Sequence, residues 1–464
     1  VYVLNQRPQL NLWQEVDLDE EFDEKSDITD FKSYLELEYR LFKQLETEVY
    51  AKTPPGGPTD INRFRKGSMM DPTSFQTNWN RSFEWTQENP SAGVLLLHGL
   101  SDSPYSLRHL GEKFHQAGAS VLGLRIPGHG TAPSGLVEIT WKDWAAAVRI
   151  AARHLKQSIG DKPLYLVGYS NGGALSVVYT LQSLGDDSLP RPDGLILLSP
   201  EIGISKAAGL AVWQGRVGHW LGLDKLAWNS ISMEYDPFKY GSFAVNAGDQ
   251  AYRITSEIDK HLDRMSKSGS LKNFPKVLAF QSAVDATVSA PALVTRLFNR
   301  LPENGSELVV FDVNRNELIE HLLAKDPAED LQGLLKGPGH SFDLSVVTNA
   351  SDEENISATV MIQHRKAGQS KLTIEASELS WPNEIFSLSH VALPFPESDP
   401  LYGSGDQGRT ATLGNRALRG ERGTLYISPG EMLRQKWNPF YPWVEKRAME
   451  FINLTPHAKP TVPE

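Results

Sequence analysis

One serine of this 464-residue chain lies where its hydroxyl could become reactive. Residues 168–172, GYSNG, fit the pattern G-x-S-x-G, with the apolar run LYLV before them and an amphipathic helical pattern after them. A serine on a sharp strand-to-helix turn has an unfavourable backbone, and side chains at the two glycines would collide with neighbouring chain. The turn exposes the hydroxyl and brings N–H groups of the helix start near a developing oxyanion. We predict that Ser170 is a nucleophile; an ordinary tight turn is the alternative.

Two further motifs accompany this serine. LLLHGLSDSPYSL contains His98–Leu100, and RIPGHGTAP contains Gly128–Gly130. Together with the serine motif they resemble the α/β-hydrolase family, in particular monoglyceride lipases, carboxylesterases and serine aminopeptidase-like hydrolases. The resemblance extends from about Gly93 to Ile452 and is interrupted by two irregular stretches.

The resemblance implies an oxyanion hole made of two backbone N–H groups, those of Leu100 and Asn171. Donors of this kind are typically worth ~3 kcal/mol each in the transition state. We expect the ring of His98 to brace its loop and that of His129 to hydrogen-bond within its own loop, without proton transfer.

A serine nucleophile also needs a base and a carboxylate that orients the base. Asp285 follows a buried strand in VLAFQSAVDATVS and is the first choice for the carboxylate. The family often has G-x-x-D-x-x-V there, and this chain keeps Val288 but has Ser282 in place of the glycine. An aspartate that only shapes a turn is the alternative, and Asp312, in or beside the next strand, is the reserve.

Three histidines compete for the role of the base. His321 stands at the usual family distance from the acid but in a predicted helix, and His340 ends KGPGH without a clear strand before it. His390 ends the strand-like run IFSLSH and opens a loop, which is where a parallel sheet would present an imidazole. We prefer His390, because inserted chain accounts for its distance from Asp285 and surface insertions cost little free energy.

The elements that must position these residues alternate between strand and helix. Apolar runs such as GVLLL, SVLGL, LYLV, GLILL, KVLAF and ELVVF are typical of strands buried on both faces, and helical patterns separate most of them. This alternation predicts an α/β fold with a mostly parallel central sheet flanked by helices. The resemblance makes it an α/β-hydrolase fold with a helical cap and an extra insertion before the catalytic histidine.

The predicted organisation has six segments. They are an N-terminal helical arm and linker (1–85), the first part of the core (86–200), a cap (201–270), the acid-bearing core (271–313), an insertion with extra strands (314–380) and the histidine loop with a C-terminal helix (381–464). The cap is rich in aromatic residues, so we expect Trp213, Trp220 and Trp228 to line a substrate pocket. The alternative is that they form the cap's own small core.

Composition excludes several classes of protein. A net charge of −11 argues against nucleic acid as a partner, and the absence of cysteine excludes disulfides and thiolate metal sites. No cofactor or metal motif is found, so we expect none to be needed. No run reaches the ~18 apolar residues of a membrane span. Because the first residue is Val1, a removed signal peptide or membrane anchor, and so a periplasmic or membrane-anchored location, is one interpretation; a cytoplasmic location is the other.

These residues together predict a serine hydrolase that cleaves small carboxylic esters with apolar acyl groups through Ser170, His390 and Asp285. The triad does not distinguish an ester from an amide, so a peptidase or amidase on the same scaffold is one alternative. The unusual spacing between acid and base keeps a second alternative open, a catalytically inactive hydrolase fold that binds a ligand.

Overall fold

The computed structural model describes residues 7–203, 224–288, 290–317, 320–323, 325–351, 356–405, 413–414 and 429–454. The predictions for Trp213 and Trp220 fall outside these residues.

The described strands are numbered β1 to β12 along the chain. They are β1 Phe83–Trp85, β2 Gly93–Leu97, β3 Ser120–Leu124, β4 Leu164–Tyr169, β5 Gly194–Leu198, β6 Trp228–Ser230, β7 Phe243–Ala244, β8 Lys276–Ser282, β9 Glu307–Phe311, β10 Asp343–Ser351, β11 Ile356–Arg365 and β12 Leu372–Ser380.

The described α-helices are numbered α1 to α11 in the same way. They are α1 Leu12–Glu15, α2 Phe31–Leu45, α3 Arg108–Gln116, α4 Gly135–Glu138, α5 Trp141–Ile159, α6 Asn171–Ser183, α7 Val245–Ser268, α8 Ala290–Arg296, α9 Ala328–Lys336, α10 Pro429–Leu433 and α11 Tyr441–Phe451. Of the helices in the described part of the chain, none has the length and apolar character needed to cross a membrane.

In the described ranges, ten strands form one sheet in the order β1-β3-β2-β4-β5-β8-β9-β10-β11-β12. The neighbours from β3 to β10 pair in parallel, whereas β1, β11 and β12 pair antiparallel at the two ends. The prediction of an α/β fold with a mostly parallel central sheet is confirmed.

Both faces of the central strands are buried, which explains their continuous apolar runs. Along β2, Leu95 and Leu97 join a core with α5, α6 and α7, whereas Val94 and Leu96 join a second core with α3 and α11. Helices therefore cover the sheet on both faces, and the carboxyl ends of its parallel strands meet at one edge, where ligands bind in open α/β sheets.

The N-terminal arm packs directly on the loop after β3. The carboxylates of Glu21 and Glu38 bind the guanidinium of Arg125, with Nη2–Oε1 and Nε–Oε2 distances of 2.9 and 3.2 Å. The Arg125 side chain is fully buried. The N-terminal arm thus supplies both carboxylates that form these ion pairs with the buried guanidinium.

Two expectations about local structure need correction. EIFSLSH forms no strand: the carbonyls of Phe386 and Leu388 accept hydrogen bonds from the N–H of Asn314 and the hydroxyl of Ser282 instead of pairing in a β-ladder. The helix predicted around His321 is a short 3₁₀ turn, Glu320–Leu322. The C-terminal helix begins at Tyr441, and just before it the side chain of Asn438 accepts a hydrogen bond from the N–H of Phe440.

Candidate active site

Ser170 occupies a sharp turn between β4 and α6. Its φ of 53° and ψ of −117° are strained for a residue with a side chain. A Cβ atom added to Gly172 would lie 1.9 Å from the carbonyl oxygen of Leu97, and one added to Gly168 would lie 2.4 Å from that of Gly172. The two glycines of the motif are therefore required by the close approach of backbone, as the sequence predicts.

Backbone hydrogen bonds hold this turn from three directions. The N–H of Ser170 donates to the carbonyl of Leu198 at 2.9 Å, at the end of the adjacent strand β5. The carbonyl of Ser170 accepts from the N–H groups of Gly173 and Glu201, each at 2.9 Å. Because all of these partners belong to the sheet edge or the start of α6, the strained conformation is fixed by rigid elements.

The structure brings Ser170, His390 and Asp285 into one hydrogen-bonded chain. Nε2 of His390 lies 2.9 Å from Oγ of Ser170, and Nδ1 lies 2.8 Å from Oδ2 of Asp285. Asp285 is acceptor-only when ionised, so Nδ1 carries the proton and Nε2 is free to accept the serine proton. This order of nucleophile, base and carboxylate is the geometry that acyl transfer requires.

Ser170 is only 6% exposed, although the sequence predicts an exposed hydroxyl. The imidazole of His390 covers the hydroxyl, and Gly99 lies so close that an added Cβ would be 3.3 Å from Cβ of Ser170. The hydroxyl is therefore packed between the imidazole and the Gly99 loop.

The carboxylate of Asp285 is held by more than the histidine. Gln281 donates to Oδ2 at 2.9 Å, and the N–H groups of Thr287 and Val288 donate to Oδ1 at 2.8 and 3.0 Å. Burial acts to raise the pKa of Asp285, but the hydrogen bond and charge of His390 and these N–H groups outweigh it, so the pKa is lowered. The ionised form that orients the imidazole is thereby favoured.

The segment leading to His390 is held by individual hydrogen bonds instead of strand pairing. Oγ of Ser282, at the end of β8, donates to the carbonyl of Leu388 at 2.8 Å. Asn314 donates from its backbone N–H to the carbonyl of Phe386 at 2.7 Å. The serine that replaces the family's glycine is thus a contact that helps to place His390, and sequence periodicity could not show it.

The other sequence candidates have different partners. Asp312 accepts hydrogen bonds from Arg315 at 2.8 and 3.0 Å, and its side chain does not reach His390. Nε2 of His340 lies 3.0 Å from the carbonyl of Leu334. His321 is exposed on its 3₁₀ turn.

Leu100 and Asn171, the residues expected to form an oxyanion hole, flank the serine. Asn171 is the first residue of α6 and directly follows Ser170, and Leu100 follows Gly99 in the loop packed on the serine. In the part of the chain that the structure describes, neither backbone N–H donates to a protein acceptor. Both N–H groups therefore remain available to an oxyanion at Ser170.

The two other histidines near the site brace loops, as the sequence predicts. Nε2 of His98 accepts from the N–H of Ile126 at 3.1 Å, which ties the Leu100 loop to the end of β3. Nδ1 of His129 lies 3.0 Å from the carbonyl of Pro127. Burial lowers the pKa of both imidazoles, that of His129 to about 4, so both rings are neutral.

Sequence reasoning missed a second carboxylate at the site. Glu201 is 6% exposed, and its Oε2 has no hydrogen-bond partner among the described residues. Burial, and then the negative charge of Asp285, raises the pKa of Glu201 to about 7. The sequence feature that could have pointed to Glu201 is its position just after the strand GLILL, at the carboxyl edge of a parallel sheet.

A cavity of about 480 Å³ lies beside the triad. Tyr169, which precedes Ser170, and Val391, which follows His390, are among the residues that line it. Trp228 does not line it: this residue is 2% exposed and packs in the core with α7. Charged side chains also line this cavity, which the aromatic composition of the cap did not lead us to expect.

Within the described ranges, no group of three or more histidine, cysteine, aspartate or glutamate residues is arranged to hold a metal ion.

Comparison with known proteins adds to this geometry. The family described as "Serine aminopeptidase, S33" matches residues 88–320, about half of the chain. The thermostable monoacylglycerol lipase of Bacillus sp. (strain H-257) is 38% identical over 90 residues, 19% of this chain and 35% of that protein. Phospholipase YtpA of Bacillus subtilis (strain 168) is 29% identical over 132 residues, 27% of this chain and 49% of that protein.

The chain thus spans between about a third and a half of the length of these curated relatives. Among solved structures, one from work on the metagenome-derived lipolytic enzymes LipS and LipT is 23% identical, with a TM-score of 0.40, and covers 55% of this chain and 96% of its own. The family match, together with the parallel sheet and the strained turn at Ser170, shows that the chain belongs to the serine aminopeptidase S33 family and has the α/β-hydrolase fold.

Proposed function

We propose that the protein is a serine hydrolase that cleaves carboxylic esters through an acyl-enzyme intermediate. The observation that carries this proposal is the hydrogen-bonded chain from Ser170 through His390 to Asp285, with distances of 2.9 and 2.8 Å. The lipase and phospholipase names of the two curated relatives favour an ester over an amide as the substrate.

In this mechanism Oγ of Ser170 attacks the carbonyl carbon of the ester while Nε2 of His390 accepts the hydroxyl proton. The carbonyl oxygen becomes an oxyanion that the N–H groups of Leu100 and Asn171 stabilise. The tetrahedral intermediate collapses, the alcohol leaves with the proton from His390, and an acyl-serine remains.

The second half of the reaction uses the same groups in reverse. His390 removes a proton from a water molecule, whose oxygen attacks the acyl carbon. Collapse of the second intermediate breaks the bond to Oγ, and His390 returns the proton to Ser170. Asp285 keeps the imidazole in the required tautomer throughout and stabilises its charged form.

The family description, which names an aminopeptidase, supports amide hydrolysis as a second candidate. The same triad serves both reactions, so the two candidates differ only in which substrate the chain accepts.

Covalent labelling tests the nucleophile directly. We expect a fluorophosphonate to modify Ser170 in the wild-type protein, with the modified residue identified by peptide mapping, and to leave Ser170→Ala unlabelled. Hydrolysis of 4-nitrophenyl esters should fall by about 10⁴-fold or more in Ser170→Ala and in His390→Ala. His340→Ala is the matched control and should keep its activity.

Ester hydrolysis that survives in Ser170→Ala would refute the assignment of the nucleophile. Loss of activity in His340→Ala with full activity in His390→Ala would refute the assignment of the base. Aminoacyl 4-nitroanilides cleaved faster than every ester would favour the amide reaction.

A further inference from the structure

Three basic residues line the cavity beside the triad, together with the acidic residues Asp102, Asp236 and Glu431. Lys239, Arg434 and Lys436 all line it, and we call these three residues the cationic patch. They come from two distant parts of the chain, one from the segment before α7 and two from the segment just after α10. The fold therefore gathers three positive side chains beside a predicted nucleophile.

Lys436 is the most informative member of the patch. It is only 9% exposed, and the negative charges of Asp236 and Glu431 act on its ammonium group. Its Nζ lies 5.9 Å from the centre of the Tyr235 ring, which offers only a weak attraction. Burial lowers the pKa of Lys436 in spite of these two carboxylates, so an anion bound in the cavity would stabilise the ammonium form.

The acidic residues of the same cavity compensate this charge only in part. Asp236 is occupied by hydrogen bonds from the hydroxyl of Tyr402 and the N–H of Phe238. Burial raises the pKa of Asp236 above its ordinary value, and it raises the pKa of Asp102 to about 7. Glu431 lies 4.0 Å from Arg434.

Apolar side chains line the rest of the cavity. Met233, Phe243, Val391 and Phe395 are among them, and Val391 directly follows the predicted base. An acyl chain could pack on these side chains while a charged group meets the cationic patch.

We propose that the ester cleaved at Ser170 carries an anionic group, a phosphate or a carboxylate, and that Lys436, Lys239 and Arg434 bind this group in the cavity. The inference rests on the proposed function and deepens it by naming the class of substrate. The anionic group takes no part in bond making, since the patch only holds it while the ester bond breaks at the serine.

Two pairs of esters test this inference, because each pair differs only in the anion. In the first pair, 4-nitrophenyl pentanoate is compared with mono-4-nitrophenyl glutarate, which has a carboxylate on the acyl side. In the second pair, a 1-monoacylglycerol is compared with the 1-acylglycerol 3-phosphate of the same acyl chain. We expect kcat/KM for at least one anionic ester to exceed that of its neutral partner by about tenfold or more.

Lys436→Met should remove this preference, because kcat/KM falls about tenfold more for the anionic ester than for its neutral partner. Lys239→Met, at a less buried position, should weaken the preference and serves if the first variant does not fold. Lys446→Met is the matched control, because its side chain is 72% exposed and lies on α11, and it should keep the preference. Equal rates for both members of both pairs, or a preference that survives in Lys436→Met, would overturn the inference.

Failure of the proposed function would look different. If no ester is hydrolysed and Ser170 is not labelled by a fluorophosphonate, the hydrolase proposal fails while the binding site can still be measured. Calorimetric titration of Ser170→Ala with both members of each pair then decides the inference. Tighter binding of an anionic ester, lost in Ser170→Ala/Lys436→Met, would support it, and equal affinities would overturn it.

Discussion

The buried carboxyl of Glu201 makes a quantitative prediction about how stability depends on pH. Its pKa is raised from 4.5 to about 7, chiefly by burial. At about 1.4 kcal/mol for each unit of pKa, ionising this group in the folded protein costs about 3 kcal/mol relative to the unfolded chain. Glutamine has nearly the same shape as glutamate and never ionises. The comparison of Glu201→Gln with the wild-type protein therefore measures the free-energy cost of ionising Glu201.

The direction in which stability changes with pH follows from the number of protons bound by the folded and the unfolded chain. Below pH 4.5 the carboxyl is protonated in both states and the effect vanishes. As the pH rises to about 7, the unfolded chain loses the proton first, so the wild-type protein loses stability that the variant keeps. Linkage gives a change of about 2.5 kcal/mol in the difference between their unfolding free energies from about pH 5 to about pH 8.

Urea denaturation followed by tryptophan fluorescence, at several values between these two pH limits, measures this difference. Glu88→Gln replaces an exposed carboxylate and is the matched control. We expect its unfolding free energy to run parallel to that of the wild-type protein as the pH changes. If the unfolding free energy of Glu201→Gln also runs parallel to that of the wild-type protein, the carboxyl is solvated or paired in the native protein and the reasoning is refuted.

Three other substitutions test how the site is held together. Ser282→Ala should lower kcat/KM for an ester about tenfold and stability by about 1 kcal/mol, because the carbonyl before the predicted base loses its donor; ester kinetics and urea denaturation check this, and unchanged kinetics would contradict it. Gly172→Ala should cost about 3 kcal/mol or more, since its Cβ would lie 1.9 Å from the carbonyl oxygen of Leu97, whereas Gly57→Ala, with open space around it, should unfold like the wild type. Arg125→Met should cost about 3–5 kcal/mol in a thermal or urea transition, because it leaves buried carboxylates unpaired, and an unchanged transition would argue that the arm is not anchored there.

The parts of the fold that the sequence predicted are those with a local physical signal. The strand GVLLL is apolar throughout because both of its faces are buried, and the turn at Ser170 needs glycines because backbone passes within contact distance. Thr140 and Asp143, three residues apart, form a capping box at the start of α5. In each case neighbouring residues in the chain carry the whole requirement.

The parts that the sequence did not predict depend on residues far apart in the chain. We preferred His390 because a strand was expected before it, yet the segment does not pair in the sheet and is anchored by Ser282 and Asn314. The charge of the cavity was missed for the same reason, because Lys239 and Lys436 become neighbours only in the folded chain. Glu201 carries no motif, and its significance comes from its burial next to Asp285.

The contact between the N-terminal arm and Arg125 sets a condition on how this protein can vary. The guanidinium lies inside the core, but its counter-charges come from Glu21 and Glu38, which precede the hydrolase sheet in the chain. A related chain without such an arm would have to place an uncharged residue at this position or supply new acids from elsewhere. Arm and core should therefore be inherited as a matched pair, and grafting either one onto a different homologue would leave a buried charge unmatched.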